Sequence, residues 1–253
     1  MALHFNSDSG TDDYLNKSVA IFSGLTYPLA FSAWVRPDDK GAQHAVVSDN
    51  GNGNGKQIRL GAGSNGKFTS GMRGHTAQSS TDVYADGNTT WFHLVGAYIA
   101  SNNQKLYVNG SLVDTDGGSA NISDFADSDQ FYIGAGVVSG TDITSRTWEG
   151  GIAEVGAYAA ELTAGEISAL AAGFSPLLVR PSALVGYWPL GGPYAPTTID
   201  PVGSNTLTAN GGASAEAHPR IIYPTLPLAI MAASQSRVAS IMLQHNQYAG
   251  GVI

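Results

Sequence analysis

The 253-residue chain contains no cysteine and few charged residues, and each lack excludes a class of protein. Without cysteine it can form neither disulfides nor thiolate metal sites. Charged residues make up 13% of the chain, about half the usual share for soluble domains. Its basic residues do not cluster and its net charge is −8, whereas nucleic-acid binders need a basic stripe that displaces counterions from phosphates. We therefore expect no nucleic-acid partner.

Long apolar runs are missing as well. The sequence has no run of about 18 apolar residues, which predicts that no segment spans a membrane. The first residues lack a basic region followed by an apolar core, so we expect no signal peptide.

What the chain does contain is short apolar runs separated by glycine-rich and polar turns. Residues 29–36 and 91–99 alternate between apolar and other residues, which is the period of a strand. Two short runs, 106–108 and 111–113, are joined by Asn109 and Gly110, the strongest short signal of a β-hairpin. The pattern predicts an all-β chain.

One helix interrupts this pattern. Thr163 and Glu166 form a capping box, in which each side chain can bond to the backbone of the other residue. Gly173 and Pro176 then mark the end of the helix. We predict a short surface helix over about residues 163–172.

The ordered motifs of residues 2–175 resemble the laminin-G-like jelly rolls of the concanavalin-A-like lectin/glucanase superfamily, of the kind found in tailed-phage virion proteins. The motifs are Ala2-Leu-His-Phe, Phe31-Ser-Ala-Trp34-Val-Arg-Pro37, Trp91-Phe-His-Leu-Val95, Lys105-Leu-Tyr-Val-Asn-Gly110, Phe131-Tyr-Ile-Gly134, Trp148-Glu-Gly-Gly-Ile-Ala-Glu154 and Leu162-Thr-Ala-Gly-Glu166. The resemblance implies an antiparallel two-sheet jelly-roll sandwich.

One group of motifs stands in an unexpected place. Strands resembling residues 184–190 and 207–211, with the turn between them, normally precede the first Phe strand of this family. We interpret the order as a circular permutation, so that 184–211 complete one sandwich of residues 1–220. A second domain is the alternative.

The sequence favours a non-catalytic protein over a glycoside hydrolase. Retaining glucanases need two carboxylates on one strand face. Glu149 and Glu154 are five residues apart, a spacing that predicts opposite faces.

Calcium is the cofactor that the resemblance implies, because related jelly rolls bind it through loop carboxylates and carbonyls. The candidate ligands are Asp12, Asp13, Asp127, Asp129 and Glu154. Solvated turn carboxylates are the alternative.

Carbohydrate is one candidate partner. Tyr84, Trp148 and Tyr194 are candidates for aromatic side chains that stack on sugar rings. Packing in the core is the alternative for each ring.

Residues 221–253 differ in character, since they are largely apolar and carry Arg237 as their one charged residue. Such a segment predicts an arm for docking, and a homo-oligomer is plausible for the same reason. Its candidate assembly residues are Ile221, Ile222, Tyr223, Leu226, Leu228, Ile230, Ile241 and Leu243.

Two functions remain open from the sequence. The first is a structural or decoration protein on the virion surface of a tailed phage, anchored to capsid or other virion proteins by residues 221–253. The second is an extracellular carbohydrate-binding lectin or adhesion module.

Overall fold

Two antiparallel sheets form the fold in a computed structural model of the chain. The residues it describes are 2–7, 12–18, 21–22, 25–41, 44–51, 57–72, 74–119, 128–136, 146–191 and 198–224. The strands, helices and contacts that follow belong to these residues.

The first sheet, sheet A, has eight strands, and β12 lies at its centre. Its order is β10-β9-β8-β3-β12-β1-β15, with β13 pairing beside β1 on the same edge of β12. The strands are β1 Ala2–Phe5, β3 Leu29–Pro37, β8 Phe92–Ala100, β9 Asn103–Val108, β10 Ser111–Asp116, β12 Gly150–Tyr158, β13 Leu184–Trp188 and β15 Ser214–Glu216.

The second sheet, sheet B, has seven strands in the order β14-β2-β11-β4-β5-β6-β7. They are β2 Tyr14–Lys17, β4 His44–Gly51, β5 Gln57–Gly63, β6 Lys67–Met72, β7 His75–Gln78, β11 Ser128–Ile133 and β14 Thr208–Asn210. The all-β chain predicted from the alternating pattern and the two-sheet sandwich implied by the family resemblance are both confirmed.

The described apolar side chains form two large packed clusters and one small cluster around Tyr132. The larger core lies between the sheets and contains Phe31 and Val35 from sheet A and Leu60 and Phe131 from sheet B. A second cluster lies on the other face of sheet A, beneath the helix, and includes Ile167. Sheet A is therefore covered on both faces there.

The two strongest local predictions are confirmed. Asn109 and Gly110 both have positive φ, as a type I′ turn between β9 and β10 requires. Helix α1 spans Ala164–Ala171, with Thr163 as its N-cap and a complete capping box to Glu166. Gly173 follows at a φ of 92°, and a short 3₁₀-helix occupies Pro176–Leu178. None of the helices described is long and apolar enough to cross a membrane.

The last two strands pair with the strands that begin the chain. Strand β14 pairs with β2, and β15 pairs with β1, placing Ala2 opposite Glu216. Residues 184–211 thus contribute strands to the sandwich. Arg36 reinforces this closure by donating to Glu216 Oε2 at 2.6 Å and to Asp38.

The segment that follows begins on the sandwich itself. Ile222 donates to the carbonyl of Gly173 at 2.7 Å and accepts from the amide of Ser175 at 3.0 Å. Its side chain is 47% exposed. The chain divides into units Met1–Ile222 and Tyr223–Ile253. Of the predicted arm residues, Ile221, Ile222 and Tyr223 are described, whereas Leu226, Leu228, Ile230, Ile241 and Leu243 lie outside the described residues.

A buried aspartate organises the turn between β13 and β14. Asp200 Oδ1 accepts the backbone N–H groups of Tyr187, Val202 and Gly203 at 3.0, 2.9 and 2.9 Å. Oδ2 accepts from the backbone and side chain of Asn205 at 3.3 and 3.2 Å. One carboxylate therefore joins the end strand of the sandwich to the turn that follows it.

Asp200→Asn should destabilise the fold, because an amide replaces one acceptor oxygen with a donor that faces other donors. Hydrogen bonds to a charged group contribute about 1.5–3 kcal/mol, so we expect the free energy of unfolding in urea to fall by about 2 kcal/mol. Asp82→Asn, at an aspartate whose side chain is 70% exposed, is the matched control and should change little. Equal effects of the two substitutions would contradict this role of Asp200.

Candidate functional site

The aromatic residues predicted to bind sugar are in the core. Tyr84 is 4% exposed and packs at a tilt beside Phe68 and Phe92, and Trp148 is 0% exposed beside His44. Neither ring has an open face for a sugar, so the stacking interpretation is wrong for these two and core packing describes them. Burial also raises the pKa of the Tyr84 hydroxyl. Tyr194 lies outside the described residues.

Polar side chains instead form a row across the outer face of sheet B. Residues paired across neighbouring antiparallel strands point to the same side of a sheet. The register places them in the order Thr208, Asn16, Tyr132, Ser48, Arg59, Gly71 and Thr76. On β5 the alternating neighbours Ile58 and Leu60 enter the core, so Arg59 points outward.

A groove lies at the β5–β7 end of this row. It has a volume of about 230 Å³ and is called the Arg59 groove here; it is lined by Gln57, Arg59, Gly71, Met72, Gly74, His75, Thr76 and Arg146. A smaller depression of about 100 Å³ shares Arg59 and Thr76 and extends to Lys67 and Gln78. Hydrogen-bonding groups therefore dominate the lining.

The guanidinium of Arg59 is the unusual group in this groove. Arg59 is 8% exposed, and its Nε and Nη1 atoms are buried with no hydrogen-bond partner among the described residues. Burial, and secondarily the positive charge of Arg146, lowers the pKa of Arg59 to about 10. The side chain is still a cation at neutral pH, so this position destabilises the unliganded fold.

The neighbours of Arg59 have protein partners. Arg146 donates to Gln57 Oε1 at 2.7 Å, and burial lowers the pKa of Arg146. His75 lies 3.9 Å from Asp116 at one edge of the groove. Asp116 itself accepts the backbone N–H groups of Thr76 and Gly118 at 2.7 and 2.6 Å. The Asp116 carboxylate is thus committed to these backbone groups.

An aromatic pair that the sequence analysis missed lies farther along the same outer face. Tyr14 and Tyr132 have ring centroids 5.9 Å apart. Tyr132 is buried, whereas Tyr14 is half-buried. The pairing of β2 with β11 brings them together, a long-range register that period-2 alternation in either strand alone does not reveal.

The calcium candidates do not converge. Asp13 accepts the backbone N–H groups of Asn6, at 3.0 Å, and Gly212, and Asp12 accepts from Thr147 at 3.3 Å. The pairing of β12 with β1 places Glu154 beyond the first residue of β1, whereas Asp13 bonds to Asn6, just after the last residue of that strand. Asp127 and the side chain of Asp129 lie outside the described part of the chain, and in that part no three His, Asp or Glu side chains are grouped as a metal site. Asp13 and Glu154 do not fit one shared ion.

The two glutamates considered as a catalytic pair, Glu149 and Glu154, bond to different partners. Glu149 accepts from Ser7 at 3.1 Å. Glu154 is buried, accepts from the Tyr187 hydroxyl at 2.6 Å and lies 3.1 Å from His218. A register shift and a positive φ at Glu154 interrupt the alternation on which the opposite-face prediction rested. Their separate partners, rather than spacing, distinguish them from a catalytic pair.

Comparisons with known proteins agree with this architecture. A family model described as the concanavalin A-like lectin/glucanases superfamily matches residues 9–168. No curated protein sequence matches the chain significantly.

Among solved structures, the heptameric SAP-like pentraxin of Limulus polyphemus is similar with a TM-score of 0.59 at 12% identity, over 84% of this chain and 93% of the pentraxin. A putative carbohydrate binding protein from Bacteroides ovatus has a TM-score of 0.59 at 18% identity, over 87% of this chain and 61% of that protein. Domain 4 of the Geobacillus stearothermophilus arabinanase AbnA, in complex with arabinotriose, has a TM-score of 0.50 at 20% identity, over 67% and 76%. At these identities the likeness is one of fold.

Arg59→Met should stabilise the unliganded protein, because it removes unsatisfied buried donors while keeping a side chain of similar length. Since such donors cost about 1–3 kcal/mol, we expect the free energy of unfolding in urea to rise by about 1 kcal/mol. Arg36→Met is the matched control and should lower it, because Glu216 and Asp38 lose their partner. A loss of stability in Arg59→Met would show that the guanidinium is satisfied in solution.

Proposed function

The chain belongs to the concanavalin A-like lectin/glucanases superfamily, and from this premise we propose that it is a non-catalytic carbohydrate-binding protein that uses the Arg59 groove. The observation that supports this proposal most directly is the composition of the groove. The groove presents guanidinium, amide, imidazole and hydroxyl groups on the outer face of sheet B, from Arg59, Arg146, Gln57, His75 and Thr76.

These groups suit a saccharide. Sugar hydroxyls both donate and accept hydrogen bonds, and the Gln57 amide and Thr76 hydroxyl can supply either role. The volume of about 230 Å³ lies below the roughly 300–1,000 Å³ of drug-sized ligand sites. The groove therefore suits the end of a glycan rather than a long buried chain.

Similar folds support the class of ligand. The Bacteroides ovatus protein is named as a putative carbohydrate binding protein, and the AbnA domain was solved with arabinotriose. A binding role needs no acid pair, and the described residues that line the Arg59 groove include no Asp or Glu. An extracellular location and a homo-oligomer both suit this function and stay predictions.

The virion hypothesis stays a prediction from the sequence. It depends on residues 221–253, of which 221–224 are described. Because Ile222 is hydrogen-bonded to Gly173 and Ser175, an arm that docks on a capsid would begin after Pro224.

Glycan binding should depend on open space above Gly71. A Cβ added there would meet Thr76 Oγ1 at 3.5 Å, which is ordinary contact. Gly71→Leu should fill the groove without breaking β6 and weaken binding about tenfold or more, a loss of about 1.4 kcal/mol. A glycan array identifies the ligand, and calorimetry with that ligand measures the change.

Gly71→Ala is the matched control, since a methyl group fits and leaves most of the groove open. Equal binding by the Leu and Ala variants would place the site elsewhere, and release of reducing sugar would contradict a non-catalytic role. Repeating the array in EDTA and in calcium tests the calcium prediction.

Truncation after Pro224 tests the virion hypothesis. The shortened chain should stay folded, because the sandwich strands and the Ile222 bonds remain, and under this hypothesis it should no longer associate with particles. If neither the full-length nor the shortened protein associates with particles while both bind glycan, the virion hypothesis is wrong and the lectin function stands.

A further inference from the structure

The Arg59 groove is positive in a chain that is otherwise acidic. The net charge of the protein is −8, yet among the described residues the two formally charged side chains that line the groove are Arg59 and Arg146. Lys67 lines the adjoining depression, which also includes Arg59. The local charge is therefore opposite to that of the protein as a whole.

Arg59 is also built into the groove rather than merely near it. It is 8% exposed and points from β5 toward Gly71, whose added Cβ would lie 3.9 Å from Nη2. Guanidinium groups bind oxyanions through a fork of two parallel N–H donors. Nη2 belongs to both forks, and the second donor of each fork, Nη1 or Nε, has no partner among the described residues.

The charges around Arg59 favour an anion as the ligand of these donors. Arg146 is close enough for its charge to lower the pKa of Arg59, after the larger effect of burial. An anion between them removes both the repulsion and the unsatisfied donors. A neutral sugar hydroxyl could accept one hydrogen bond but would leave the repulsion in place.

We propose that the Arg59 groove selects acidic saccharides, with the oxyanion of the sugar bound between the guanidiniums of Arg59 and Arg146. This inference rests on the proposed carbohydrate-binding function. Gln57 and Thr76 then contact the hydroxyl groups of the same ring. Specificity arises because a buried guanidinium beside a second, half-buried one penalises every ligand that brings no negative charge.

The test compares saccharides that share one neutral core. The full-length protein is titrated calorimetrically with lactose, sialyllactose and sulfated lactose, and with trigalacturonate against its methyl ester. At least one acidic member should bind about tenfold or more tightly than its neutral counterpart, equivalent to about 1.4 kcal/mol. The lactose derivatives separate a carboxylate from a sulfate as the source of the oxyanion.

Variants assign the preference to the groove. In Arg59→Met the ratio of acidic to neutral affinity should fall toward one, and Arg59→Lys, which keeps the charge without the fork, should be intermediate. Arg146→Gln provides a second variant on another segment. Arg220→Met removes an exposed cation outside the groove and should leave the ratio unchanged.

The outcomes separate the two proposals. Equal affinity for acidic and neutral members overturns acid selection while the carbohydrate-binding function stands. A preference that persists in both Arg59→Met and Arg146→Gln also overturns it. If no saccharide on the array or in the titrations binds, the proposed function itself fails.

Discussion

The alternation of β5 is the constraint from which the candidate site follows. Successive residues of a strand point to opposite faces. Because Ile58 and Leu60 are buried between the sheets, the side chain of Arg59 lies on the outer face. A shift of one residue would exchange the two sets and bury a cation in the main core. The same hydrophobic burial that closes the sandwich therefore determines the direction of Arg59.

Arg59 differs from Arg36, a second arginine with little solvent exposure, in having no described carboxylate partner. Arg36 is also largely buried, but Glu216 and Asp38 satisfy it, and their hydrogen bonds and charges raise its pKa even though burial, the largest effect, lowers it. Arg59 has the burial without the carboxylates, and its pKa falls to about 10. Natural proteins keep such locally destabilising residues mainly at functional sites.

Local signals in the sequence were enough to predict much of the fold. The Asn109-Gly110 turn and the Thr163–Glu166 capping box act within four residues, so neither depends on distant partners. Tyr84 and Trp148 were misassigned because composition does not say whether an aromatic side chain faces the core or the solvent. Arg59 had one usable signal, a cation between Ile58 and Leu60 in an alternating run. That no described carboxylate pairs with it depends on the register of three strands, which no short motif encodes.

The chain order of the sandwich can also be argued from its register. A circular permutation requires that the natural ends of the fold lie side by side. Here Ala2 is paired with Glu216, and β13 continues along the edge of β12 where β1 stops. Joining such ends and opening the chain elsewhere would change connectivity without changing which strands are neighbours. The permutation hypothesis thus needs no rearrangement of either sheet, and the Arg59 groove, on β5 to β7, lies away from the strands that it would reconnect.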